Sequence, residues 1–159
     1  MKTPDRILHT ALTLFNEQGE VHTTALEIAD ELDMSPGNLY YHFKGKDPII
    51  AALFDQFEQR ISETLAAPIA APLANQESVE NNWYYLFVLF EDMHDYRFIY
   101  DNLTDLINRY PKIERGFKRI LALKRAAFYA LCDELIAQGG DTREQQLNAI
   151  ADNLSQTAT

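Results

Sequence analysis

The chain has 159 residues, 47% of them apolar, a formal net charge of −10 and one cysteine. That apolar share excludes a disordered chain, and the acidic balance excludes a protein that coats nucleic acid nonspecifically or lies on an anionic membrane. Cys132 alone permits no internal disulfide, no apolar run follows the opening Met1-Lys2-Thr3-Pro4, and nothing approaches the ~20 apolar residues of a membrane span, so the expected setting is reduced and cytoplasmic, with no membrane partner.

Few glycines and prolines, placed between long 3.6-periodic segments, predict an all-α fold. The first helix is expected to open with Thr3 as N-cap and Pro4 at its first position, and to stop at Gly19. Ile7, Leu8, Ala11, Leu12, Leu14 and Phe15 form its apolar face. Thr24-Ala-Leu-Glu27 reads as a capping box that starts a second, short helix with Leu26, Ile28, Ala29 and Leu32 on its buried side. Asp33 then takes the left-handed turn usually given to glycine.

A third helix follows in the stretch Ser35 to Lys46, with Ser35 as N-cap, Pro36 in the first turn and Gly45 as its stop. Leu39 and Phe43 point toward a core, while Gly37 and Tyr41 point away from it. His42, Lys44 and Lys46 add donors and positive charge at its far edge. A core helix would not present glycine and tyrosine to solvent. Two short helices joined by a tight turn, the second with an exposed polar and aromatic face, make a helix-turn-helix, and a major groove about 12 Å wide admits one such helix.

A long helix is expected from Lys46 to about Leu65, with Ile49, Ile50, Leu53, Phe54, Phe57, Ile61 and Leu65 in one stripe. Its first part packs under the reader and its later part belongs to the next domain, which makes it a candidate lever. Ala66 to Pro72 should break it, giving a linker around 66–78. Further helices are expected from Ser78 to about His94, from Asp95 to Arg109, and on to Gln138, where Gly139-Gly140 stops the chain before a last helix from Asp141.

The run Ile7 to Phe15, Gly19, Thr23-Thr24, Ile28-Ala29, Ser35-Pro-Gly-Asn-Leu-Tyr-Tyr-His-Phe43 and Lys46 resembles the N-terminal domain of TetR-family transcriptional regulators. Glu20 stands where that family usually has an aromatic, and Asp33 where it has a turn glycine. The resemblance implies a helix-turn-helix DNA-binding domain over 1–47 and a helical ligand-binding and dimerisation domain over 48–159. It implies that Thr24, Ser35, Pro36, Gly37, Tyr40, Tyr41, His42 and Lys46 contact operator DNA. Most would touch phosphates, with Lys44 adding charge, while Pro36, Gly37 and Asn38 are better placed for base edges. Such proteins generally end in two long helices that pair in a four-helix dimer interface. Here the polar tail from Asp152 to Thr159 makes the last one look missing, so a chain truncated at its C-terminus is expected.

The second half, with Trp83-Tyr-Tyr-Leu-Phe87, Tyr96-Arg-Phe98, Leu103, Arg109-Tyr-Pro-Lys112 and Leu123-Lys-Arg125, is similar to the PhaD subgroup. That makes a fatty-acid or acyl-CoA-derived effector the expected small molecule. Its candidate contacts are Phe57, Ile61, Phe90, Met93, His94, Phe98, Asn102 and Phe128, with plain core as the competing reading for each aromatic. Glu91, His94 and Asp95 share a helical face, but a solvated cluster is the expected reading, with no metal and no cofactor. The basic run Arg109, Lys112, Arg115, Lys118, Arg119, Lys124 and Arg125 reads first as a solvated face complementary to acidic neighbours.

No nucleophile pattern or phosphate-cradling glycine loop points to an enzyme. Residues 1–50 oppose only Lys2, Arg6, Lys44 and Lys46 to Asp5, Glu17, Glu20, Glu27, Asp30, Glu31, Asp33 and Asp47. A reader so acidic needs a homodimer on a palindromic operator to bind well. The alternative is a helical ligand- or partner-binding protein that no longer binds DNA.

Overall fold

The computed structural model describes residues 2–70 and 78–130, with side chains for 2–66 and 84–130. The chain is helical throughout these segments: α1 (Thr3–Gln18), α2 (Ala25–Glu31), α3 (Pro36–His42), α4 (Lys46–Ala70), α5 (Ser78–Asp95), α6 (Arg97–Asp101), α7 (Leu103–Arg109) and α8 (111–130). No strand occurs among the described residues. The expected helices beyond residue 130, the glycine stop at 139–140 and the polar tail lie outside them.

The local signals act where the residue chemistry requires. Gly19 closes α1 at φ 89°, and Asp33 makes the turn into the third helix at φ 51°. Thr24 Oγ1 accepts from the Glu27 N–H at 3.2 Å, and Glu27 Oε2 accepts from the Thr24 N–H at 2.7 Å, which completes the capping box. Ser35 Oγ accepts from the Asn38 N–H at 3.3 Å and caps α3. At α1 the cap falls one residue earlier than expected: Lys2 is extended and its N–H donates to Asp5 Oδ2 at 3.3 Å, so Thr3 is already helical.

α4 is the axis of the molecule. Ile49, Ile50, Leu53, Phe54, Phe57, Ile61 and Leu65 are all buried and join one core that also takes in Ile7, Ala11 and Phe15 of α1, Ile28 of α2 and Leu39 of α3. The same core continues into Phe98 and Ile99 of α6, Leu106 of α7 and Ile113, Phe117 and Ile120 of α8. Phe15 and Phe98 bring α1 against α6 with ring centroids 5.2 Å apart. α4 also outlasts its expected end at Leu65 and the break at Ala66, running to Ala70. Pro68 falls so near the helix end that its missing N–H forfeits only a terminal bond.

Two expectations about helix shape are corrected. The segment 95–109 is not one helix, because Tyr96 and Asn102 leave helical geometry (φ −115°, ψ 33° and φ −121°, ψ 22°) and divide it into α6 and α7. The break is satisfied from α1: Asn16 Nδ2 donates to the Asp95 carbonyl at 2.7 Å, and Asn16 Oδ1 accepts from the Phe98 N–H at 3.1 Å. Leu26 is 58% exposed rather than buried. It sits two positions before Ile28, about 200° around the helix, so both cannot face the core.

α8 lies close along α4. A β-carbon on Gly116 would stand 2.4 Å from Phe54 Cε1 and 2.9 Å from Glu58 Oε2. On the flanks, Lys112 pairs with Asp55 at 2.6 Å and Arg119 with Glu58 at 2.7 Å, so part of the basic run meets acidic residues of α4. Gly116→Ala is therefore expected to lower unfolding free energy by about 1–3 kcal/mol through overpacking, against the roughly 0.5–1 kcal/mol that alanine ordinarily gains inside a helix. Urea denaturation measures the sign directly, and a stabilised Gly116→Ala variant would contradict the close approach.

Candidate nucleic-acid interface

α3 is anchored by few groups and leaves most of its surface free. Leu39 is buried at 2% exposure and Phe43 packs against the core, which fixes the helix on α2 and α4. Pro36, Gly37, Asn38, Tyr40 and Tyr41 are exposed, Tyr41 at 79%. A β-carbon at Gly37 would meet no atom within 4 Å, so no described residue requires glycine there. His42 stacks edge-on against Tyr41 with centroids 5.1 Å apart, and Lys44 lies 4.9 Å above the Tyr40 ring. Ser35 and Thr24 are exposed at the N-termini of α3 and α2, where their hydroxyls serve as caps.

Lys46 behaves differently. Its side chain is only 22% exposed, and Nζ reaches Glu20 Oε1 at 2.9 Å while donating to the Glu20 carbonyl at 2.8 Å. Glu20 has no exposed surface, and Arg109 at the end of α7 approaches its Oε2 at 3.3 Å. Arg109 in turn bonds Asp105 at 2.9 Å and donates to Tyr110 Oη at 2.8 Å. The Tyr110 hydroxyl donates to Asp47 Oδ1 at 2.7 Å, in the first turn of α4. Burial, followed by the hydrogen bond to the Asp47 carboxylate, raises the Tyr110 pKa and keeps the phenol a donor. The substitution that reads in sequence as a lost aromatic contact is thus an ion-pair centre joining the α1–α2 turn, α4 and α7. The signal for it was a carboxylate at an otherwise apolar position; its partner Arg109 lies too far along the chain to be inferred from spacing.

The expected effector contacts are dispersed. Phe57, Ile61 and Phe98 are fully buried in the core, whereas Phe90 and Phe128 are each 64% exposed. Asn102 Nδ2 donates back to the Phe98 carbonyl at 3.3 Å, and Met93 Sδ lies 3.9 Å from Lys124 Nζ. His94 is exposed and lines, with His9, Asn16, Arg60, Asp95 and Arg97, an open groove of about 580 Å³ between α1, α4 and the α5–α6 joint. Of the eight, His94 lines this groove. Asp95, from the weighed metal cluster, is paired with Arg60 at 2.8 Å, and no metal-holding group of three occurs among the described residues. No described helix is long and apolar enough to cross a membrane.

Residues 7–53 match the family model described as bacterial regulatory proteins, tetR family, and residues 56–159 match the model described as bacterial transcriptional repressor. The probable HTH-type transcriptional regulator YttP of Bacillus subtilis is 30% identical over 108 residues, 65% of this chain and 52% of that protein. A TetR-family transcriptional regulator from Marinobacter aquaeolei VT8 superposes with a TM-score of 0.79 at 33% identity, covering 87% of this chain and 66% of the other. AmtR of Mycobacterium smegmatis shares the fold, with a TM-score of 0.65 at 23% identity, over 88% of this chain and 66% of its own. The chain spans about half the length of YttP and about two thirds of the two solved structures.

The capping box makes one pH-dependent prediction. Hydrogen bonds from the Thr24 N–H and then the Thr24 hydroxyl hold the Glu27 carboxyl below its ordinary value of 4.5. A depressed folded pKa contributes stability that is present above 4.5 and lost as pH falls through the folded value. The stability difference between wild type and Glu27→Gln in urea should therefore shrink as pH is lowered below that point, and a constant difference would contradict the bond.

Proposed function

Because the chain belongs to the TetR family of bacterial regulatory proteins, we propose that it reads duplex DNA through α3 and acts as a transcriptional repressor, binding a palindromic operator as a homodimer. The observation that carries this reading is the exposed Gly37/Tyr41 face, which serves no packing purpose inside the chain. Glycine at position 37 lets the helix backbone approach base edges closely, beside Pro36 and Asn38. Thr24, Ser35, Tyr40, Tyr41, His42, Lys44 and Lys46 then supply phosphate contacts that fix register. We assign reading to residues 1–47 and regulation to 48–159.

Homodimerisation follows from the electrostatics. With Lys46 engaged by Glu20, the reader has few cations to release counterions from DNA, so a single copy binds weakly. Two copies spaced one helical turn apart, about 34–36 Å, sum their contacts. A small apolar effector, of the acyl type expected for the PhaD-like subgroup, would act on 48–159 and change that spacing. It does so only by binding one spacing better than the other. Such a regulator works in the cytoplasm, where its operator is.

Selection of duplexes from a random-sequence pool by the wild-type protein tests DNA reading, with Gly37→Leu as the paired variant. Gly37→Leu should melt at or above the wild-type temperature, since the site is open and leucine favours helix. Its affinity for the selected duplex should fall about tenfold or more, the loss expected when a base-edge contact worth roughly 1–3 kcal/mol is blocked. A pool that yields no enriched duplex, or full affinity in Gly37→Leu, would favour a helical partner-binding protein that has lost DNA reading.

A further inference from the structure

We propose that Glu20 and Arg109 are positioning residues for DNA binding: they hold Lys46 in reserve and decide whether its ammonium can be given to a phosphate. The inference rests on the DNA-reading function proposed above and concerns how that function is controlled. Glu20 is fully buried, and a buried carboxylate stripped of its partners is strongly destabilised. Two cations share it, Lys46 at 2.9 Å from Oε1 and Arg109 at 3.3 Å from Oε2. Lys46 belongs to the first turn of α4, beside the reader, and Arg109 belongs to the last turn of α7, in the regulatory half. With both present, one cation can leave while the other still neutralises Glu20.

The consequence is an exchange. While α7 keeps Arg109 on Glu20, Lys46 can swing its ammonium to a DNA phosphate without baring the buried charge. When α7 withdraws, Glu20 retains Lys46 through both its carboxylate and its carbonyl, and the reader loses a phosphate contact. The hydrogen bond from Tyr110 to Asp47 holds the end of α7 to α4 independently of Glu20. Loss of the Arg109 charge therefore leaves that attachment in place, and electrostatic control separates from simple loss of packing.

The test uses the full chain and a duplex enriched from the random pool by the wild-type protein, with affinity measured over a range of salt concentrations. Arg109→Gln should lower affinity about tenfold to a hundredfold, and the slope of log K against log salt should become shallower by about 1.8, two phosphate contacts at about 0.9 each, one from each protomer of the dimer. Lys46→Gln, with Arg109 still neutralising Glu20, should shallow the slope equally. Glu20→Gln combined with Arg109→Gln should restore the wild-type slope, because Lys46 is then no longer held. A merely structural arginine would change stability and leave the slope unchanged, and the double variant, whose buried charge is gone, carries the test should Arg109→Gln alone unfold. An unchanged slope in Arg109→Gln, or no recovery in the double variant, overturns the proposal while DNA reading stands. Failure of the wild type to enrich any duplex overturns both.

Discussion

A carboxylate with no exposed surface must be neutralised from inside the protein, and Glu20 is neutralised by residues 26 and 89 positions away in the chain. Each unpaired ion in such a place costs several kcal/mol, so the α1–α2 turn, the start of α4 and the end of α7 are required to meet at one point. The rest of the arrangement is compatible with that meeting. Asp47 and Asp105 flank Arg109, and Tyr110 bridges from Arg109 to Asp47, so the guanidinium is oriented on several sides at once. Hydrophobic contact alone would let α7 slide over α4. A guanidinium bonded at once to Glu20, Asp105 and Tyr110 opposes this.

α4 starts at that point. Its buried stripe contacts the reader at one end and α5, α6 and α8 at the other, and its flanks are tied by Arg60 to buried Asp92 and by Asp55 and Glu58 to α8. Thr64 adds a hydroxyl donated to Asp92 at 2.6 Å. A helix so pinned along its length is held to α5 and α8 on its flanks and to the shared core along its stripe. Asn16 makes the second crossing between halves, through the α5–α6 joint. Among the described residues the N-terminal helices are thus joined to the rest by the Asn16 bonds, the Glu20 ionic centre and a shared apolar core.

Much of the fold was legible because its signals are local. Capping by Thr24 and Ser35, left-handed backbone at Gly19 and Asp33, and the stripe on α4 depend on residues within a few positions of one another. The exposed face of α3 was legible for the same reason. What escaped depends on distant partners. The division of 95–109 into two helices is satisfied by Asn16, far up the chain, and the close approach at Gly116 is visible only once Phe54 stands opposite. Glu20 shows the limit most clearly: spacing reveals an acid where an aromatic is usual, but not the arginine that makes its burial possible.

Glu20 and Arg109 should be energetically coupled, since they meet across 89 positions of chain. A double-mutant cycle on unfolding free energy, with Glu20→Gln, Arg109→Gln and the pair, measures that coupling without any DNA present. Contact between two charges, one of them buried, predicts a coupling energy of about 1 kcal/mol or more, with the double variant less destabilised than the sum of the single ones. Strictly additive effects would contradict the ionic centre and with it the connection between regulation and reading.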